Sequence, residues 1–338
     1  MNRKSTYRSV LALSVLTLLL GVALSRDASA EDIGAANFGA AANGMPWAVA
    51  LEKGFFKEAG VDITGVISSL GGGPDLRVLL GGNLPYAEAG LSAVAAANQA
   101  GADLVIVSDN VHTVSDILWV TRKDSPIESI KDLKGKKIAF SNPGSTTQAL
   151  DYLLVDHAGF KREDVQFIAA GSLGAALTAL ENGGVDVAPM AEPAWTLNGA
   201  KYKTIARGSE IFPPISNTIG VTSRKTLQER PQVVRAIIQA RRKAVEYMQA
   251  NRKESAQLIA KHYKMDPAVI EKVMSNLMDH GTVRGVPYWG LGNFEYESLN
   301  NLVRAMNLIG VINGQLDWNK YVDESYLPAD LQSKKGTK

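Results

Sequence analysis

Short apolar strands, each followed by a glycine- or proline-marked turn and then a helix, succeed one another along most of this chain. That alternation leaves few folds open. IGAANF (33–38) reads as a strand and MPWAVALEKG (45–54) as a helix, with Pro46 in its first turn and Gly54 at its stop. VDITGVI (61–67), the turn SSLGGG (68–73) and the helix PDLRVLL (74–80) repeat the unit, as do YAEAG (86–90) and LSAVAAANQA (91–100). DLVIVSDN (103–110) and DILWVTR (116–122) are further strands. A second series runs through KKIAF (136–140), the turn SNPGSTT (141–147), a helix with Leu150, Leu153 and Leu154 on one side, VQFIAA (165–170) and the turn GSLG (171–174). It closes with the helix AALTALENG (175–183) and the strand VDVAPM (185–190); NTIGVTS (217–223) is another strand. From Pro231 the chain turns mainly helical, beginning with the amphipathic run PQVVRAIIQARRKAVEYMQAN. Such alternation predicts an α/β fold with largely parallel sheets. One internal echo, LRVLLGGNLPYAEAGLSA (76–93) against LTALENGGVDVAPMAEPA (177–194), suits two lobes built on related plans.

The first 30 residues stand apart. MNRKSTYR is basic, VLALSVLTLLLGVAL is apolar, and ASA ends the stretch at Ala30. That order predicts a secretory signal peptide cleaved after Ala30 and a periplasmic protein. The apolar run falls short of the ~20 residues a membrane span needs. The chain carries 36 Lys and Arg against 34 Asp and Glu; without the four basic residues and one acid of 1–30, 32 basic and 33 acidic remain. A near-neutral chain gives no electrostatic reason to expect nucleic acid or an anionic membrane as partner. There is no cysteine. Disulfides, zinc–thiolate and iron–sulfur sites and cysteine nucleophiles are thereby excluded, and the fold must rest on its own core, with length enough for two lobes.

Three strand-to-helix turns, SSLGGG, SNPGSTT and GSLG, are rich in Gly and Ser. In open α/β sheets ligands bind outside the carboxyl ends of the strands, where such turns gather. Helix starts favour anions through unbonded N–H groups and the dipole, hydroxyls add donors, and Gly allows close approach to the backbone. Simple helix capping by Ser141, Asn142 or Ser145 fits each turn taken alone. None is a phosphate loop or a dinucleotide fingerprint.

GFFKEAGVDI (54–63), SSLGGG, DLKGKKIAF running into SNPGSTTQALDYLL, and LENGGVDVAPMAEPA (180–194), in this order, resemble the nitrate/sulfonate/taurine-type periplasmic substrate-binding proteins of ABC importers. The resemblance covers essentially the whole chain after residue 30. It implies a two-lobe type II periplasmic binding protein fold: α/β, each lobe a mixed sheet flanked by helices, ligand cleft between them. Lobe one would be 31–115 plus 223–338 and lobe two 116–222. The chain would cross near Val114–Ile117 and near Asn217–Val221.

It further implies an anion-holding turn at Ser145, Thr146 and Thr147, with Gly144 beside them, and a facing turn at Ser68, Ser69 and Gly71. Residues 38–47 would form the first-strand loop, where Phe38, Asn43 or Trp47 would cover the ligand; Trp47 also fits the core. His112, near the first crossing, fits a cleft wall or a polar hinge. Glu192 fits a surface or hinge-side acid, or a cleft acid if the ligand also carries an ammonium or hydroxyl. Asn217, Trp195, Tyr288 and Trp289 complete the cleft candidates. Arg241–Lys243 read as a solvated helix face or a permease dock.

The expected function is capture of a small organic anion and delivery to an inner-membrane ABC permease, by a monomer with no catalytic residue, metal or cofactor. The ligand classes this leaves open are sulfonates and carboxylates, zwitterionic or aromatic ones included. Two other readings share the fold: a dehydratase-like enzyme using Glu192 and His112, and a sensor reporting to a membrane receptor.

Overall fold

Strand β4 shows how the chain is laid out: all eight of its residues are buried, so it must lie inside a sheet covered on both faces. The structure, a computed structural model, describes residues 30–69, 73–81 and 84–333. All of the expected signal peptide but Ala30 lies outside them, as does Gly71. Eleven strands are described: β1 (Glu31–Ala36), β2 (Ile63–Ser69), β3 (Ala87–Gly90), β4 (Leu104–Val111), β5 (Ile117–Arg122), β6 (Lys137–Phe140), β7 (Gln166–Ala169), β8 (Ala188–Ala191), β9 (Tyr202–Arg207), β10 (Thr218–Ser223) and β11 (Trp289–Gly292).

Six strands form one sheet in the order β11-β4-β10-β3-β1-β2. β1 runs parallel to β2 and β3, while β10 is antiparallel to β3 and β4 and β11 is antiparallel to β4. The second region holds β8-β5-β9, all antiparallel, and the parallel pair β6-β7. A bridge from Ile138 to Val187, with Ala139 N donating to Val187 O at 2.9 Å, lays β6 beside the approach to β8. The sheets are therefore mixed, not largely parallel. β10 comes back from the second region instead of through a helical crossover, and such a return is free to pair antiparallel. β10 pairs wholly within the six-stranded sheet, with β3 and β4.

The helices fall where apolar periodicity and caps put them. Thr146–His157 starts on Ser145, whose side chain accepts from Gln148 N, and buries Leu150, Leu153 and Leu154. Pro231–Ala250 has Pro at its start and buries Val234, Ile237, Ile238, Ala244, Val245 and Met248 in one stripe. It packs on Met45–Glu52. The basic run on this helix is not a uniform solvated face. Arg242 pairs with Glu246 and Asp330, and Lys243 with Glu58, but Arg241 is 2 % exposed and belongs to the interior. Among the described residues no helix is long and apolar enough to cross a membrane.

Candidate functional site

A cavity lies between the six-stranded sheet and the region of the smaller sheets. Ala36, Asn37, Ala41, Asn43, Gly90 and Thr218 face it from the six-stranded side. Ser141, Ser145, Thr146, Thr147, Leu173 and Ala191 face it from the other side, and Asp116, Ile117 and Asn217 complete the lining. The space open to water centres is about 70 Å³. At ~10–15 Å³ for each water-sized sphere, that admits roughly half a dozen non-hydrogen atoms.

The polar end is the start of the Thr146–His157 helix. Ser145 Oγ caps Gln148 N at 3.2 Å and lies 3.0 Å from Thr147 Oγ1, which is 2.8 Å from Ser141 Oγ. Capping and cavity lining are thus combined in one serine. The N–H groups of Thr146 and Thr147, at the first two helical positions, have no intrahelical acceptor. With the hydroxyls and the dipole they form a donor set suited to an anion, and no Lys or Arg lines the cavity.

The opposite wall is held from below. Asn43 Nδ2 donates to Glu88 Oε1 at 2.7 Å and Thr218 Oγ1 to the same oxygen at 3.1 Å; Trp47 Nε1 and Asn110 Nδ2 donate to Oε2 at 3.0 and 2.8 Å. Arg241 stands 3.4 Å from Oε2 and donates to the carbonyls of Gly290 and Asn110, each at 2.7 Å. Two cavity residues are therefore oriented by one buried carboxylate.

Asp116 is 3 % exposed. Burial pushes its carboxyl up to about 7, against hydrogen-bonding groups of Tyr288 and Asn217 that favour ionisation, while the charge of Glu192 raises it further. Glu192 is tied to the six-stranded side twice: its backbone O accepts from Ala42 N at 3.2 Å, and its Oε1 from Asn276 Nδ2 at 2.8 Å. Its Oε2 accepts from Thr196 N at 3.1 Å. Ser92 Oγ also reaches across to Gly144 O at 2.8 Å.

Of the residues expected from sequence, Asn43, Ser145, Thr146, Thr147 and Asn217 are brought together at the cavity. Gly144 lies just behind them at φ +76°, and a Cβ there would meet nothing within 4 Å, so backbone strain and not blockage is what substitution would bring. Glu192 is buried beside the cavity. Others go elsewhere. Phe38 packs edge-on against His262 and Tyr263. Trp47 is fully buried between Phe56 and Tyr86, and its N–H is taken by Glu88. Ser68 is exposed, donating to Phe38 O, and Ser69 O accepts from Asn37 N; neither lines the cavity. His112 is a core residue, its Nε2 3.0 Å from Asn293 O, and burial lowers it to about 4. Trp195 stacks under Arg207, Trp289 Nε1 donates to Ala42 O, and Tyr288 is buried beside Asp116. Sequence reasoning missed Asp116, Thr218, Leu173 and the supporting Glu88 and Arg241. Among the described residues no group of three or more His, Cys, Asp or Glu is placed to hold a metal ion.

The six-stranded mixed sheet, the smaller β8-β5-β9 and β6-β7 sheets and the flanking helices make a mixed α/β fold of the periplasmic binding protein class. Within that class the chain belongs to the NMT1/THI5-like family, whose profile matches residues 41–255. A short second match, residues 242–289, is to a FeoC-like transcriptional regulator. A Bacillus subtilis (strain 168) protein named "Putative aliphatic sulfonates-binding protein" is 28% identical over 239 residues, covering 68% of this chain and 70% of its own. Among solved structures, the periplasmic aliphatic sulphonate binding protein SsuA from Escherichia coli superposes with a TM-score of 0.69 at 18% identity, covering 86% of this chain and 91% of that one. The periplasmic nitrate-binding protein NrtA from Synechocystis PCC 6803 gives 0.67 at 13% identity, covering 89% and 87%.

Proposed function

We propose that this protein is the solute-binding component of an ABC importer, which captures a small organic anion, a sulfonate or carboxylate, and passes it unchanged to a membrane permease. The observation that carries this reading is the helix start at Thr146 with the hydroxyls of Ser141, Ser145 and Thr147 lining a cavity against the six-stranded sheet's side. Neutral donors of this kind hold a monovalent anion by hydrogen bonds and water exclusion without the long-lived pairing a buried Arg would give. The sulfonate and nitrate binders among its relatives support the ligand class. In this reading 31–115 with 218–338 is one lobe and 116–217 the other, and closure is a hinge motion at the two crossings. Export on residues 1–30 and action as a monomer complete the proposal.

The test is thermal melting of the purified protein against alkanesulfonates, aminosulfonates, nitrate, aliphatic and aromatic carboxylates, and pyrimidines, with calorimetry on each hit. A ligand binding only the folded form adds RT ln(1 + [L]/Kd), about 2.7 kcal/mol at a hundredfold excess over Kd. A hit recovered chemically unchanged is the expected result. A hit converted to product would make the protein an enzyme.

A further inference from the structure

The cavity lining combines two kinds of chemistry. One is the donor set around Thr146. The other is Asp116. This carboxyl lines the cavity, is 3 % exposed, and its Oδ1 has no hydrogen-bond partner. Glu192, the other acid beside it, is already bonded to Asn276 and Thr196. Arg241 is committed to Glu88 and two carbonyls. A buried carboxyl oxygen left unpaired is costly. Among the described lining residues none is a cation, and the negative charge of Glu192 beside Asp116 disfavours an anion there.

We infer that Asp116 is a specificity-determining residue that receives a protonated amine, so that the ligand is a short zwitterion with its anionic group against the Thr146 helix start. This rests on the anion-binding reading above and narrows it. Room for roughly half a dozen non-hydrogen atoms suits a two-carbon spacer between the groups. The inference also excludes what the donor set alone would admit: nitrate, simple alkanesulfonates and simple carboxylates leave Asp116 unpaired. A site built to pair with a polar group rejects analogues lacking it far better than an apolar pocket rejects an extra methylene.

The experiment uses matched pairs of probes on the purified protein and its Asp116→Asn variant: 2-aminoethanesulfonate with ethanesulfonate, and 3-aminopropanoate with propanoate, each by calorimetry. The expected result is that in at least one pair the amine-bearing member binds at least tenfold tighter, and that Asp116→Asn reduces that preference to about twofold or less while still binding the amine-free member. Binding with no preference for the amine, or a preference that survives in Asp116→Asn, overturns the role of Asp116 and leaves the anion reading standing. If neither member of either pair binds, this inference fails; the anion reading fails as well only if the wider anion panel is also silent. The wild-type preference is read without the variant, so a variant that does not fold leaves the decision intact.

Discussion

Arg241 and Glu88 face each other at 3.4 Å with both side chains at most 2 % exposed, under the floor of the cavity. The pair is costly to bury and costlier to break. Glu88 takes four neutral donors besides, two of them from the cavity residues Asn43 and Thr218. Arg241→Met would leave an uncompensated carboxylate and two carbonyls without their donor. We expect a loss of about 3–5 kcal/mol in urea unfolding. Glu88→Gln, which keeps the shape, should cost less stability yet misorient Asn43 and Thr218, and so lower ligand affinity more than its melting temperature suggests.

At the polar end, Ser145→Ala removes a helix cap and a cavity hydroxyl together. The cap is worth about 1 kcal/mol of stability. Thr147→Val removes the hydroxyl that joins Ser141 and Ser145 but keeps the shape and the helix start. Ser145→Ala should therefore lower both stability and anion affinity, and Thr147→Val chiefly affinity. Calorimetry and thermal melting on the two variants separate the effects; equal affinity in wild type and Thr147→Val would move the anion away from this turn.

The sequence carried part of this picture. Most strands are apolar runs bounded by Gly, Pro or Ser, and their neighbours are set locally, so they are readable one window at a time. The Ser145–Thr147 turn was legible for the same reason. β9 and β11 were not: YKTIAR is half polar, and WGLG has two glycines and four residues. Asp116 pairs its chemistry with residues a hundred or more positions away, and local spacing says nothing of that. Arg241 was legible in principle. It falls on the 234–237–241–244–248 stripe of its helix, where every other member is buried and apolar, so periodicity placed it inside while its charge suggested the surface.

In the proposed function, closure would be held by a latch. Asn276 Nδ2 donates to Glu192 Oε1 at 2.8 Å and stands 3.2 Å from Thr196 Oγ1. Asn276→Ala removes these bonds and leaves a buried carboxylate oxygen unpaired, about 1–3 kcal/mol. That penalty applies to the closed state, since opening returns Glu192 to water. Affinity should drop several-fold to about a hundredfold, with a larger radius of gyration by solution scattering in the presence of ligand. A variant as compact and as tight as wild type would show that the latch carries no closure energy.

Two buried groups oppose each other in acid. His112 has a folded pKa lowered to about 4 by burial, below the ~6.5 of an unfolded chain, so its contribution is present above 6.5 and lost as pH falls toward 4, about 3 kcal/mol at most. Asp116 is raised to about 7, so its contribution is present below the unfolded value near 3.9 and lost as pH rises through 7. Asp109 and Asp151, both raised by burial, act in the same sense as Asp116. Asp116→Asn removes one opposing share. Its unfolding free energy should fall more steeply than that of wild type between pH 7 and 4, measured by urea titration at each pH. Parallel curves would mean that Asp116 does not change protonation there.

Proton exchange on binding gives the sharpest sign. In the free protein Asp116 holds its proton to about pH 7 because burial disfavours the charge by more than the hydrogen-bonding groups of Tyr288 and Asn217 favour it. An ammonium placed against it stabilises the carboxylate and lowers that value, so near pH 6.5 binding must release most of one proton per ligand. If instead the protonated carboxyl donated to an anion, binding would stabilise the acid form and take a proton up. Calorimetry at pH 6.5 in buffers of different ionisation enthalpy measures the number and its sign. Release that disappears in Asp116→Asn is the expected result. At pH 8, where Asp116 is already ionised in the free protein, its share of the release should vanish, and affinity for an amine-bearing ligand should be higher than at pH 6 as long as the amine itself stays protonated.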